Sequence, residues 1–323
     1  MIDVIIPTYN AKKTICQTLL SLYEQTISDK IKIYIVDDNS SYDYNDIFND
    51  FSDLLNIKIL KLNENMGPGY ARYYGIKNSN SKYILFIDSD DILYNCYSLE
   101  HLYNSIENSN SDIVISNFIE DCVNEKKNYK NDTIWMHGKI YRRKFLEKNN
   151  INFNFSRANE DFGFNKLCIL LNPKINYLNE TTYIWKYNPN SITRRNNHEY
   201  IFTGINGYAF NTYWAVSEAL KRNCDKSKCA IELFSSLYEI YFYYLKFIKI
   251  NEILSRKILE WCFDIEKIYK KYEDRICHTD RIKESNRIFI KVSNNVFLRD
   301  IVYENFSFEK FLLEIEKEGN KND

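Results

Sequence analysis

The sequence predicts an α/β protein: a Rossmann-like, mostly parallel, doubly wound sheet flanked by helices, followed by an all-helical C-terminal region. Short apolar runs at residues 4–6, 31–36, 57–62 and 83–87 recur about every 26 residues, with helix-length segments between them. That is the rhythm of βαβ units. Beyond about residue 200 the turn signals thin out and helical periodicity takes over.

Taken in order, the first run ends in Thr8, Tyr9 and Asn10, and residues 14–23 then set Ile15, Leu19 and Leu22 on one helical face. The second run ends in Asp37, Asp38, Asn39 and Ser40. A Gly67-Pro68-Gly69 turn opens a helix over 70–77 that carries Arg72. The fourth run ends in Asp88, Ser89, Asp90 and Asp91, and Glu160-Asp161 precede an amphipathic stretch at 162–171. Helical patterns follow at 201–222, 228–247, 251–272 and 308–318, and the tail from 317 reads as frayed.

With 43 basic and 44 acidic residues in 323, the net charge of -1 removes the electrostatic reason to expect nucleic acid as a partner. The first residues carry Asp3 within a short apolar run and no basic segment before it, unlike a signal peptide. Residues 237–254 are the most membrane-like stretch, but Glu239, Lys246, Lys249 and Glu252 interrupt it, so no transmembrane segment is expected. Eight cysteines lie scattered without a CxxC pair, which fits reduced thiols in a cytoplasm. Cys224 and Cys229 lack the second pair that a zinc site needs.

In sheets of this kind ligands bind beyond the carboxyl ends of the strands, where three polar clusters converge here. Each cluster alone also reads as a turn or a helix cap. Asp88 and Asp90 are placed to hold a hard divalent ion, magnesium or manganese, which neutralises charge on a leaving diphosphate. Glu160 and Asp161 offer a carboxylate base, although acidic residues at a helix start also complement the helix dipole. Arg72 can pair a diphosphate or simply be solvated. His101, His137 and His278 show no partner pattern.

Ile-Ile-Pro-Thr-Tyr-Asn at 5–10, Val-Asp-Asp-Asn-Ser at 36–40 and Asn-Met-Gly-Pro-Gly-Tyr-Ala-Arg at 65–72 recur in one order with Phe-Ile-Asp-Ser-Asp-Asp at 86–91 and Asn-Glu-Asp at 159–161. In order and spacing this set resembles the family 2 glycosyltransferases over roughly residues 1–195. The resemblance implies a GT-A fold, a nucleotide-diphosphate sugar donor (UDP by family habit) and inversion by single displacement. It implies that Thr8 and Asp38 contact the nucleoside, that Pro7 shapes their loop, and that Tyr9 and Ser89 lie beside the donor. Arg72 and Arg194 would lie near the diphosphate. Asp88 and Asp90 would be the DxD pair, Asp90 on the metal and Asp88 on the ribose or a metal-bound water. Asp161 would be the base with Glu160 beside it, and His198 would complete the metal shell.

One departure is Tyr73, where the family often has Asn. The Gln-x-x-Arg-Trp pattern of processive synthases is missing, which favours transfer of single sugars. The expectation is therefore a catalytic domain over 1–198 and a helical region over 199–323 that binds acceptor or builds a homodimer. The acceptor would be a glycan, a lipid-linked saccharide, a surface polymer or a protein, met in the cytoplasm or peripherally at the inner membrane face. The competing readings are a sugar-nucleotide binding module that has lost catalysis, and a sugar-phosphate nucleotidyltransferase.

Overall fold

Each of the four apolar runs forms a strand of the computed structural model, which describes residues 1–188, 198–222, 224–250, 254–301 and 307–319. Strands β1 (Ile2–Thr8), β2 (Ile31–Asp37), β3 (Ile57–Lys61) and β4 (Tyr83–Phe86) pair in parallel in the order β3-β2-β1-β4. Helices α1 (Ile15–Tyr23), α2 (Asn45–Phe51) and α3 (Pro68–Lys77) make the crossovers. Every residue of β1 is buried, as a strand covered on both faces requires. At Gly75 a Cβ would come within 2.5 Å of Ile5 Cγ2, so only glycine lets α3 lie this close to β1.

The other half departs from the parallel sheet that the sequence predicts. After β5 (Ile92–Leu93) and α4 (Ser98–Ser109) come β6 (Ile113–Asp121), β7 (Lys126–Tyr129), β8 (Lys139–Arg142), α5 (Arg143–Lys148), α6 (Glu160–Leu170) and β9 (Ile175–Trp185). β8 is antiparallel to β4 and to β6, β9 is parallel to β6, and β5 and β7 pair antiparallel with β9 and β6. The result is a mixed nine-stranded sheet ordered β3-β2-β1-β4-β8-β6-β9-β5, with β7 beside β6. β5 has two residues and β7 reads Lys-Lys-Asn-Tyr, so neither carries the apolar run that marks a strand.

These directions have one consequence for the site. The carboxyl ends of β4, β6 and β9 and the amino end of β8 share one edge of the sheet. The opposite edge is tied by Arg143 at the start of α5. Its guanidinium donates to Asp3 Oδ2 at 2.8 Å, to Ser81 O at 2.6 Å and to Ile76 O at 3.2 Å.

The chain divides into two compact units, Met1–Arg195 and Asn196–Asp323. The second contains α7 (His198–Leu220), α8 (Lys226–Lys249), α9 (Arg256–Tyr269), α10 (His278–Ser293) and α11 (Phe308–Gly319). The sequence pattern misses α10, whose buried residues are only Ile288 and Val292. The helix predicted from residue 251 is observed from Arg256, and residues 251–253 lie outside the described ones. Cys224 and Cys229 are free thiols with sulfurs 3.5 Å apart. No described helix is long and apolar enough to cross a membrane.

Candidate active site

The loop after β4 is a built structure rather than a solvated turn. Asp91 N–H donates to Asp88 O at 3.0 Å, which closes the bend. Asp91 is 1% exposed, and its carboxylate accepts the Tyr183 hydroxyl at 2.6 Å and Lys186 N–H at 2.8 Å. The same tyrosine oxygen accepts Asp88 N–H at 3.2 Å, so β9 holds the carboxylate loop at two points. Burial, then the neighbouring charges of Asp88 and Asp90, push the Asp91 carboxyl well above its ordinary range.

Arg72 joins this loop to the Glu-Asp element, which begins α6. Its Nη2 donates to Asp88 Oδ1 at 2.6 Å and its Nη1 to Glu160 Oε1 at 2.7 Å. Arg72 and Glu160 are buried, whereas the Asp88 side chain is 31% exposed. Burial works against both charged partners. The ion pair outweighs it, so Asp88 is held below the usual carboxylate range and Arg72 above its own. Gly69, one turn earlier on α3, permits the approach, since a Cβ there would lie 2.6 Å from Asn154 O and 2.9 Å from Glu160 Cγ. Asn159, in the left-handed region at φ 58°, turns the chain into α6. Asp161 follows, with its carboxyl pushed up to about 7 by burial first and by Glu160 next.

The first three strands hold the nucleoside-side candidates in fixed positions. Pro7 and Thr8 are buried at the end of β1, with Thr8 Oγ1 donating to Ile6 O at 3.2 Å, and Tyr9 is exposed. Asp38 accepts Met66 N–H at 2.7 Å and Gly67 N–H at 2.8 Å, so its carboxylate shapes the loop ahead of α3. Ser89 is partly exposed, and Asp90 Oδ2 accepts Asn188 Nδ2–H at 2.7 Å. Arg194 lies outside the described residues. His198 begins α7, and its side chain is likewise outside them.

The structure adds residues that sequence reasoning passed over. His137, which shows no partner pattern in the sequence, is 5% exposed. It packs on Tyr183, Trp185 and Phe118 with ring centroids 4.8, 5.0 and 5.0 Å apart. Burial lowers its pKa to about 3, so the ring is neutral and Nδ1, which has no hydrogen-bond partner among the described residues, stands 3.9 Å from Asp91 Oδ2. Asp88, Asp91 and His137 each offer one ligand atom within 4.8 Å of the others, among the described residues. Two carboxylates and a neutral imidazole suit a divalent ion such as Mn²⁺. Of the two carboxylates expected to hold a metal, Asp88 is in this group and Asp90 is not. Lys139, at the amino end of β8, is also buried, and burial lowers its pKa to about 8. Partners up to about a hundred residues away explain why local pattern could not single these out.

A half-sheet of βαβ units, an acidic loop beyond its last strand and a Glu-Asp helix start linked to that loop by arginine define a GT-A glycosyltransferase domain. The sequence pattern of glycosyl transferase family 2 matches residues 3–159, just under half of the chain, in agreement with the resemblance carried by the motifs. It is 28% identical over 246 residues to the poly(ribitol-phosphate) β-N-acetylglucosaminyltransferase TarP of Staphylococcus aureus, covering 70% of this chain and 72% of TarP. It is 28% identical over 222 residues to the glycosyltransferase GlyA of Streptococcus pneumoniae, covering 60% of this chain but only 31% of GlyA. The fold matches S. aureus TarS 1-349 in complex with UDP-GlcNAc with a TM-score of 0.69 at 19% identity, over 90% of each chain.

Proposed function

We propose that this chain transfers one sugar from a nucleotide-diphosphate sugar, a UDP-sugar, to a hydroxyl of a glycan or surface-polymer acceptor, with inversion. The observation that carries this is the linked cluster Asp88–Arg72–Glu160–Asp161, which brings the end of β4 and the start of α6 together. UDP-GlcNAc bound to TarS, and the N-acetylglucosaminyl transfer in the name of TarP, support the choice of donor.

Thr8, Tyr9 and the loop shaped by Pro7 and Asp38 receive the nucleoside, and Ser89 and Arg194 lie along the diphosphate. A divalent ion, Mn²⁺ or Mg²⁺, held by Asp88 with Asp90 and His198, or by Asp88 with the converging Asp91 and His137, would supply Lewis-acid stabilisation of the departing diphosphate. Asp161 takes the acceptor proton as the hydroxyl oxygen attacks the anomeric carbon, and a carboxyl near 7 is matched to that task. Arg72 holds Glu160 and Asp88 in place and keeps Asp88 charged. The helical unit selects the acceptor.

The test is calorimetric titration of UDP-GlcNAc, UDP-glucose and GDP-mannose with and without Mn²⁺, coupled to an assay of released nucleotide. Metal-dependent binding of a UDP-sugar, with turnover lost in Asp90→Ala and Asp161→Asn, is the expected result. Binding without turnover in the wild type would return the chain to a binding module, and pyrophosphate release from UTP would make it a nucleotidyltransferase.

A further inference from the structure

We propose that Trp135 and Trp185 form a platform that stacks on a pyranose ring, on the far side of Asp88 from the nucleoside residues Thr8 and Asp38. This rests on the transferase reading above. Across the sheet edge the order is β2 and β1, which carry Asp38 and Thr8, then β4, which leads into the carboxylate loop, then β8, β6 and β9. Trp135 precedes the amino end of β8 and Trp185 closes β9, so both indoles belong to the carboxylate edge. At roughly 4.8 Å per strand, the edge from β2 to β9 spans about 24 Å, room for a nucleoside diphosphate and sugar rings beyond it.

The backbone that carries Trp135 is fixed at both polar groups. Asp132 Oδ1 accepts Ile134 N–H at 2.9 Å and Trp135 N–H at 2.8 Å. The Trp135 carbonyl accepts the buried ammonium of Lys139, and Asn165 Nδ2 at 3.1 Å; Asn165 Nδ2 also bonds Ile134 O at 2.8 Å. Asn165 lies one helical turn beyond Asp161 on α6, so the helix face that presents the base also clamps the tryptophan loop. A buried lysine costs desolvation, which here is offset by the Trp135 and His137 carbonyls and by Asp132 Oδ1 at 3.7 Å. Trp185 is fixed from the other side. The next residue, Lys186, donates its N–H to Asp91 and its ammonium to Asp121 Oδ2, both at 2.8 Å, and the His137 ring backs the indole.

The two indoles are half-buried, with centroids 5.6 Å apart and planes tilted by 43°. An indole face is electron-rich and attracts the polarised C–H face of a sugar, while the tilt leaves a corner that seats a ring rather than a flat base. Each indole packs against the sheet core on one side and is only partly covered at the charged edge. The ring could be the donor's sugar or a sugar of the acceptor. The chemistry is shared, and the experiment separates the two.

The test measures binding of UDP, of the tightest of UDP-GlcNAc, UDP-glucose and UDP-galactose, and of methyl glycosides of the same sugars in the presence of UDP and Mn²⁺. Titration calorimetry and saturation-transfer NMR are applied to the full chain, to Trp135→Ala and Trp185→Ala, and to Trp135→Phe and Trp185→Phe. Each alanine variant should weaken the ring-bearing ligand about tenfold while leaving UDP unchanged, and each phenylalanine variant should recover most of the loss. Loss confined to the UDP-sugar assigns the platform to the donor ring, and loss confined to the glycoside assigns it to the acceptor. Unchanged affinities, or an equal loss for UDP alone, would overturn the platform. Failure of the wild-type chain to bind any UDP ligand would instead overturn the transferase reading.

Discussion

In the N-terminal unit buried charge is paired across long stretches of chain, Arg72 with Asp88 and Glu160, and Arg143 with Asp3. In the helical unit the interior is held by rings, with Phe308 set against Tyr238, Tyr241 and Phe311 at centroid distances of 5.3, 5.5 and 6.1 Å. Its buried carboxylates, Glu239 and Glu266, pair with half-exposed lysines, Lys291 at 2.6 Å and Lys270 at 3.4 Å, and Glu239 also accepts the Tyr208 hydroxyl at 3.1 Å. Burying an ion pair gains little stability over apolar packing, so the Arg72 pairs at the carboxylate edge serve the site there, while Arg143 and Asp3 tie the opposite edge. The helical unit shows what the same chain does when only packing is required.

The sharpest test of this contrast is Asp161→Asn, which should lower turnover about 10²- to 10⁴-fold, the range for a general base. It should also stabilise the fold at neutral pH. The folded pKa of Asp161 is raised to about 7 from an ordinary 3.8, so the folded chain keeps a proton that the unfolded chain releases. The charge therefore begins to oppose folding as pH rises above about 4, reaches its full effect above about 7, and is absent in the Asn variant. Melting curves at pH 5 and pH 8 should show a variant advantage that is clearly larger at the higher pH, and wild-type turnover should climb through about pH 7. An equal advantage at both pH values would mean that Asp161 is not held protonated by its surroundings.

Next in size is Arg72→Gln, which strands Asp88 and Glu160 near each other without a cation. A loss of about 3–5 kcal/mol in urea unfolding is expected, with Arg72→Lys recovering part of it because a single ammonium cannot bridge both carboxylates. Glu239→Gln in the helical unit should cost far less, since Lys291 is 49% exposed and the partner remains solvated. Comparable losses in the two variants would break the distinction between the units.

Much of the parallel half-sheet was legible because β1, β2 and β4 are covered on both faces and read as apolar runs, while β3 is largely exposed. The acidic loop and the Glu-Asp helix start were legible as motifs, but their linkage was not. Arg72 and Glu160 are 88 residues apart, and nothing local says that a guanidinium will turn to carboxylates rather than solvent. His137, Lys139 and Tyr183 were invisible for a related reason: burial, not spacing, makes them part of the site. β8 reads Lys-Ile-Tyr-Arg, and neither its antiparallel direction nor the burial of its lysine follows from alternation.

The smallest effect expected compares the same substitution in the two units. At Gly69 an added methyl meets the Asn154 carbonyl and Glu160, so Gly69→Ala must push α6 and its two carboxylates away from Arg72. Turnover should fall more than stability, because a shift of under an ångström disrupts a charge-paired site more than it disrupts packing. At Gly204, within α7, a methyl meets no atom of the described residues within 4 Å. There Gly204→Ala should gain about 0.5–1 kcal/mol from helix propensity, seen as a small rise in melting temperature with donor affinity unchanged. A gain at Gly204 that also altered donor affinity would show that the helical unit reports to the site and is not an independently packed region. A neutral result at Gly69 would show that α6 can recede without consequence, leaving the Arg72 bridge as packing and not as the device that sets Asp161.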